Sequence, residues 1–458
     1  MASKNNKAYI VAVDMGYGHR RAVFPLRKMA TQPPNFQQKE TNGIIIANNY
    51  PGIPKSDKEI WNASRQVYEK ISRFKHVPVV GDVVWSIFDK LQNIPDFYPR
   101  RDLSKPTLQL REVMYFIKHK NWGKHLIEKL NKKPLPLITS FFAVAFMAEY
   151  FGYKGEIYCQ VCDADISRAW VSPKPALSKI KYFASCYRVE ERLKLYGVKE
   201  ENIFLTGFPL PKENLGGPRL GVLKNDLWHR IYNLDPKKRY AEQYEKSICK
   251  HLEVKRLPKK ADHPLTLTFA VGGAGAQREI AGDVLKSLKS KILNREIKLI
   301  LVAGSRQDVY RDFYKMAKRS SVSAEFRKNG FVEIIFSPDK DEYFKKFNEA
   351  LRTTDVLWTK PSELCFYTAF GLPIVMAPPI GSQEAFNRKW LESIGAGVDQ
   401  DEPKHVDEWL FDWLSSGWLA EAAMQGYFEA FKFGTYNIEK IIAHKEEEIR
   451  EMKTVLQY

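Results

Sequence analysis

Residues 359–397 read TKPSELCFYTAFGLPIVMAPPIGSQEAFNRKWLESIGAG, and the order of elements in that stretch decides the fold. A helical run enters the turn Gly371, Leu372, Pro373; the short apolar strand 374–376 follows, and then a loop carrying Pro378, Pro379 and Gly381. Glycine and proline punctuate both ends of the strand, as they do where a strand empties into a loop at the carboxyl edge of a sheet. Ligands of open α/β sheets bind at that edge. Beyond the loop, Ser382, Gln383 and Glu384 start a polar helix with Asn387 one turn on. Such a turn offers several donors and acceptors together, which suits a polyhydroxylated ligand such as a sugar. The same residues also read as a surface loop with an ordinary N-cap at Ser382.

Outward from this stretch, strands and helices alternate in both directions. The C-terminal half is expected to form strands at 265–271, 298–303, 331–336, 355–358 and 374–376. The N-terminal half is expected to form them at 9–13, 136–139, 156–161, 181–184 and 203–206, with a further apolar run at 43–47. Amphipathic segments fall at 57–74 and 81–91, and 111–130 reads as one long helix with Val113, Phe116, Ile117, Leu126 and Leu130 on its apolar face. Alternation of this kind argues for parallel, doubly wound sheets. Between the halves, 211–263 is rich in Lys, Arg and Pro and holds two short helical patterns but no strand. The expected domains are therefore 1–210 and 264–430, joined by a basic helical linker at 211–263 and followed by a C-terminal amphipathic helix within 431–458. Two Rossmann-like halves closed by such a helix form the GT-B layout.

A chain of 458 residues buries a large core. Its formal charge of +18 points to an anionic partner: nucleic acid, an anionic membrane surface, or phosphate-bearing small molecules. The excess is uneven. Residues 100–133 hold ten Lys/Arg against three acids, and residues 212–263 hold thirteen against seven. Neither stretch contains a nucleic-acid reading motif, so no nucleic acid is expected; both also read as solvated faces. The first mixes its cations with Tyr115, Phe116 and Trp122, which fits docking on an anionic bilayer. Cys159, Cys162, Cys186, Cys249 and Cys365 form no even disulfide framework, and the single CxxC lacks a second pair for zinc. Buried strand-end thiols in a reducing cytoplasm are expected, with no bound metal. The N-terminus has no signal-peptide apolar region, and no transmembrane helix is expected.

Two glycine loops carry the chemistry. Gly272, Gly273, Gly275 and Ala276 lie between a strand and a helix, where free backbone N–H groups make a diphosphate site. The spacing is not the dehydrogenase fingerprint, and the next strand ends at Arg306, a phosphate partner, rather than at an acid for a dinucleotide ribose. The N-terminal loop carries Gly16 and Gly18 and then His19 at a helix start. A neutral imidazole there is suited to general-base work, because the helix dipole lowers its pKa. Asp163 and Asp165, just past an expected strand end, are the alternative base, or else turn carboxylates.

These loops together resemble one GT-B glycosyltransferase family, that of the bacterial GlcNAc transferase of peptidoglycan lipid synthesis and the monogalactosyldiacylglycerol synthases. The resemblance is carried by GYGHRRA at 16–22, TGFP at 206–209, GGAG at 272–275, GLP at 371–373, the Gln383–Glu384–x–x–Asn387 run and GAG at 395–397, in order along nearly the whole chain. It implies two Rossmann-like domains facing across a cleft and closed by the C-terminal helix. It also implies a nucleoside-diphosphate-sugar donor (a UDP-sugar) in the C-domain, an acceptor in the N-domain, and metal-independent transfer with inversion. The family places a Glu five residues before the GLP glycine to hold the donor ribose; Phe366 stands there, and Glu363 or Ser362 is the substitute. The expected protein is a cytoplasmic enzyme, peripheral on the inner membrane face, moving a sugar to a lipid or other membrane-associated glycan acceptor. The rivals are a nucleotide-sugar epimerase and a non-catalytic basic binding protein on the same fold.

Overall fold

A computed structural model describes residues 7–33, 36, 42–74, 93–270, 275, 277–326 and 330–443. The expected segment at 81–91 and the tail beyond 443 lie outside the described residues, as do Gly272, Gly273 and Ala276. The chain divides into two compact units, Met1–Leu210 with Ile380–Phe386 and Phe431–Tyr458, and Pro211–Pro379 with Asn387–Ala430.

The first unit holds strands β1 (Tyr9–Ala12), β2 (Ile45–Ile46), β3 (Leu137–Thr139), β4 (Ile157–Gln160), β5 (Ile180–Ala184) and β6 (Ile203–Leu205). They form one sheet in the order β2-β1-β3-β4-β5-β6, and every pairing is parallel. Helices cover a parallel sheet on both faces, so its strands are apolar throughout rather than alternating; YIVA at β1 is wholly buried. The order reverses at β1, which pairs with β2 on one side and β3 on the other, placing a topological switch point between β1 and β3.

The second unit holds β7 (Thr266–Ala270), β8 (Lys298–Gly304), β9 (Val332–Phe336), β10 (Val356–Thr359), β11 (Ile374–Met376) and β12 (Gly397–Asp399). Its order is β12-β11-β10-β7-β8-β9, again parallel, with the switch point between β7 and β10. This is the doubly wound dinucleotide-fold order. The three-residue β12 was not expected; it is too short to show a period and is defined by pairing Ile374 with Gly397.

Three local outcomes differ from, or extend, the sequence expectation. The helix expected at 111–130 is two helices, Leu108–Lys120 and Lys124–Asn131. Asn121 and Gly123 both adopt left-handed backbone (φ 52° and 86°), and Trp122 between them is buried; Asn and Gly tolerate that conformation, so the axis breaks there. The basic stretch 211–263 is helical at Lys212–Leu215, Gly221–Leu234 and Arg239–Leu252 and belongs to the second unit. Its buried Arg230 donates to the carbonyls of Thr354, Phe370 and Leu351, at 2.7, 2.7 and 3.1 Å, and so ties this stretch to the chain around β10. Gly371 ends the 3-10 helix Glu363–Phe370 at φ 67°, and a β-carbon there would strike Leu227. Finally, the helix Gly434–Ile442 returns to the first unit: Ile438, Ile441 and Ile442 share a core with Ile10, Ala12, Val23 and Phe183. Thr435 Oγ1 donates to Leu210 O (2.6 Å) and Asn437 Nδ2 to Thr206 O (2.9 Å), so the TGFP element is held by the returning chain.

Candidate functional site

At the first switch point the loop after β1 leads through Gly16 (φ 82°) and Gly18 into the short helix Gly18–Val23. Asn48, just beyond β2, steadies that loop by accepting from Asp14 N at 2.9 Å. Half-buried His19 meets Ser140, the first residue past β3, in two ways. Its Nδ1 stands 2.7 Å from the Ser140 carbonyl oxygen, and the Ser140 hydroxyl donates to the His19 carbonyl at 2.7 Å. A carbonyl only accepts, so the nitrogen facing it, Nδ1, carries a proton. Phe141 meets the ring edge-on at 4.9 Å, Trp170 lies 6.3 Å away, and the Cys162 thiol stands 3.8 Å from Nδ1. Sequence reasoning did not single out Ser140, whose signal was its place directly after a strand at this edge, and it took Cys162 only as a buried strand-end thiol.

Of the two alternative carboxylates, Asp163 is half-buried in the loop after β4, with its backbone carbonyl accepting from Ser185 Oγ at 2.6 Å. Asp165 is corrected to a structural role. It is buried and holds Arg192 through two parallel bonds, Nε to Oδ1 and Nη2 to Oδ2, each 2.8 Å, with Ile166 N also on Oδ1. A carboxylate occupied in this way is not placed to accept a substrate proton.

In the second unit, Gly275 has φ 70°. Arg306, expected on phosphate, instead grips Asp308 two residues on, Nε to Oδ1 at 3.1 Å and Nη2 to Oδ2 at 2.8 Å. The guanidinium pulls the Asp308 carboxyl down to about 2. Ser362 and half-buried Glu363 lie three and four residues beyond the end of β10, at the switch point. Phe366 is buried against Trp390, ring centroids 4.9 Å apart, so the expected ribose-carboxylate position is filled by apolar packing. The Gln383–Glu384–x–x–Asn387 run is divided, Gln383 and Glu384 falling in the first unit and Asn387 in the second. Glu384 Oε2 accepts from Ile380 N at 2.7 Å, closing the helix start on itself. Asn387 is fully buried, and its Nδ2 donates to Pro361 O at 3.2 Å, tying this helix to the loop after β10. Gln277, which sequence reasoning passed over, likewise donates to Pro378 O at 2.8 Å. Among the described residues no group of three or more His, Cys, Asp or Glu is arranged to hold a metal ion, and no helix is long and apolar enough to cross a membrane.

A family model described as a domain of unknown function (DUF6938) matches residues 245–437. The chain is 20% identical over 352 residues to the processive diacylglycerol beta-glucosyltransferase of Bacillus subtilis, covering 73% of this chain and 78% of the relative. To the enzyme of that name from Bacillus cytotoxicus it is 21% identical over 416 residues, covering 88% and 84%. Among solved structures, S. aureus MnaA with UDP superposes at a TM-score of 0.45 with 12% identity, over 96% of this chain and 97% of the other. Two doubly wound parallel sheets, a C-terminal helix returned to the first unit, and this sequence likeness define the class: a glycosyltransferase of the GT-B type.

Proposed function

We propose that the protein transfers a hexose from a nucleoside-diphosphate sugar, a UDP-sugar, to the hydroxyl of a membrane-associated lipid acceptor, with inversion and without a bound metal. The observation that carries this reading is the fixed tautomer of His19, whose Nδ1 is engaged by the Ser140 carbonyl. In a single displacement the acceptor oxygen attacks the anomeric carbon while its proton passes to His19 Nε2. The bond from that carbon to the diphosphate oxygen breaks, and the diphosphate leaves with the electron pair. Attack and departure on opposite faces invert the centre. The helix Ile280–Ser287, with Gly275 ahead of it, receives the leaving charge. The diacylglycerol named for the Bacillus relatives supplies the lipid class. The helix Leu108–Lys120 supports docking on an anionic bilayer: Leu108, Tyr115 and Phe116 are exposed beside Arg111, Lys118 and Lys120.

A thermal-shift panel of nucleoside diphosphates and their sugar conjugates tests the reading. A shift specific to the diphosphates, followed by glycolipid formation on vesicles containing diacylglycerol, is the expected result. Buried Phe366 favours one second reading, a binding protein that kept the fold; no shift with any nucleotide would select it.

A further inference from the structure

Two carboxamides, each donating to a proline carbonyl, tie the segments after β7 and β10, which flank the second switch point, to the segment after β11. Asn387 reaches Pro361 in the loop after β10, and Gln277, ahead of the helix Ile280–Ser287, reaches Pro378 in the loop after β11. Gln277 is the stranger of the two. It is buried, at 9% exposure, and it holds φ 63°, a left-handed backbone that glycine takes freely and a residue with a β-carbon takes only at a cost. Gly272, Gly273 and Gly275 stand just before it in the sequence, so glycine is common in this stretch and yet absent at this position. Strain retained at a ligand-binding edge, together with a side chain bonded across to a second loop of that edge, calls for a role in the side chain itself. Pro378 is followed by Pro379, which has no N–H, so this loop has few backbone donors with which to anchor itself.

We propose that Gln277 is a positioning residue of the donor site: its amide holds the loop after β11 in register with the switch point, and so sets where the sugar of the donor rests. This rests on the transferase reading. The sequence reading gives the diphosphate to the glycine residues ahead of Gln277 and the sugar to the Gln383–Glu384–x–x–Asn387 run that follows the β11 loop. Releasing the Gln277–Pro378 bond therefore acts on sugar recognition more than on diphosphate recognition.

The test uses the whole chain and calorimetric titration with UDP and with UDP-glucose, UDP-galactose and UDP-GlcNAc. Gln277→Met keeps the volume and loses the donor; Gln277→Gly loses the donor and relieves the backbone. Both are expected to weaken binding of the preferred UDP-sugar by about tenfold, the scale of one lost hydrogen bond, while UDP binding changes by less than about twofold. Gln277→Gly is also expected to melt at or above the wild-type temperature, which separates loss of positioning from loss of folding. Equal weakening of UDP and UDP-sugar, or wild-type sugar binding by Gln277→Met, overturns the assignment and leaves the transferase reading standing. Failure of the wild-type protein to bind any of the four probes overturns both together.

Discussion

The two switch points are built on opposite plans. In the first unit the main chain holds a side chain: the Ser140 carbonyl fixes one nitrogen of His19, and the proposed reaction draws on the other. In the second unit side chains hold the main chain: Asn387 and Gln277 use their amides on the carbonyls of Pro361 and Pro378. A short sheet-edge loop needs both kinds of residue, and residue type alone does not separate them. The separation lies in which polar atoms are already bonded inside the protein and whether burial makes those bonds costly to lose.

The largest effect expected from this contrast is on turnover. His19→Ala should lower it by roughly 100- to 10,000-fold, the usual contribution of a general base, with a melting temperature close to wild type because the ring is half-buried. A loss below about tenfold in a steady-state assay would remove His19 from the role of base and with it the contrast. Asp165→Ala should do the reverse. It strands the buried Arg192 guanidinium, so urea unfolding should show a loss of about 3–5 kcal/mol, while turnover per folded molecule holds. Full stability with lost turnover would return Asp165 to the catalytic group.

A smaller stability loss, about 1–3 kcal/mol, is expected for Asn387→Ala, which leaves the Pro361 carbonyl without this donor in a buried setting. If stability is unchanged and only donor affinity moves, Asn387 is a ligand group and the second switch point follows the plan of the first. The smallest effect lies at the entry to the second sheet, away from both loops. Burial works against a charge on His263, but Asp355 at 3.1 Å and Asp262 at 2.5 Å outweigh it and raise the imidazole above its ordinary value. A raised folded value means that this stabilisation is complete below the unfolded value and fades as pH rises through the folded one. His263→Asn should therefore cost more stability at about pH 6 than at about pH 9, as read from urea midpoints. An equal cost at both would show that the imidazole serves only as a neutral hydrogen-bond partner.

Much of the fold is legible along the chain because the relevant signal is local. Apolar runs mark eleven of the twelve strands among the described residues, and they place His19, Gly275, Glu363 and Gln383 in or just after strand-to-helix loops. One failure has a local cause and the other a distant one. Asn121 and Gly123 break a helix that the apolar period carries straight through, because the period registers side-chain polarity and not backbone handedness. The basic stretch at 211–263 looks like a linker by composition, yet Arg230 anchors it inside the second unit by bonds to residues more than 120 positions away.

The sequence by itself determined two doubly wound halves, the loops at their carboxyl edges, the positive excess and the family likeness, since each is written in spacings of a few residues or in motif order. The tertiary structure alone decided strand order, and therefore which loops flank the switch points. It also decided the return of Gly434–Ile442 to the first unit and the division of polar residues between chemistry and scaffolding. The physical reason is distance along the chain. His19 and Ser140 are 121 residues apart, and Gln277 and Pro378 are 101 apart. Which buried polar atom is satisfied by which partner is settled only when folding brings such residues together.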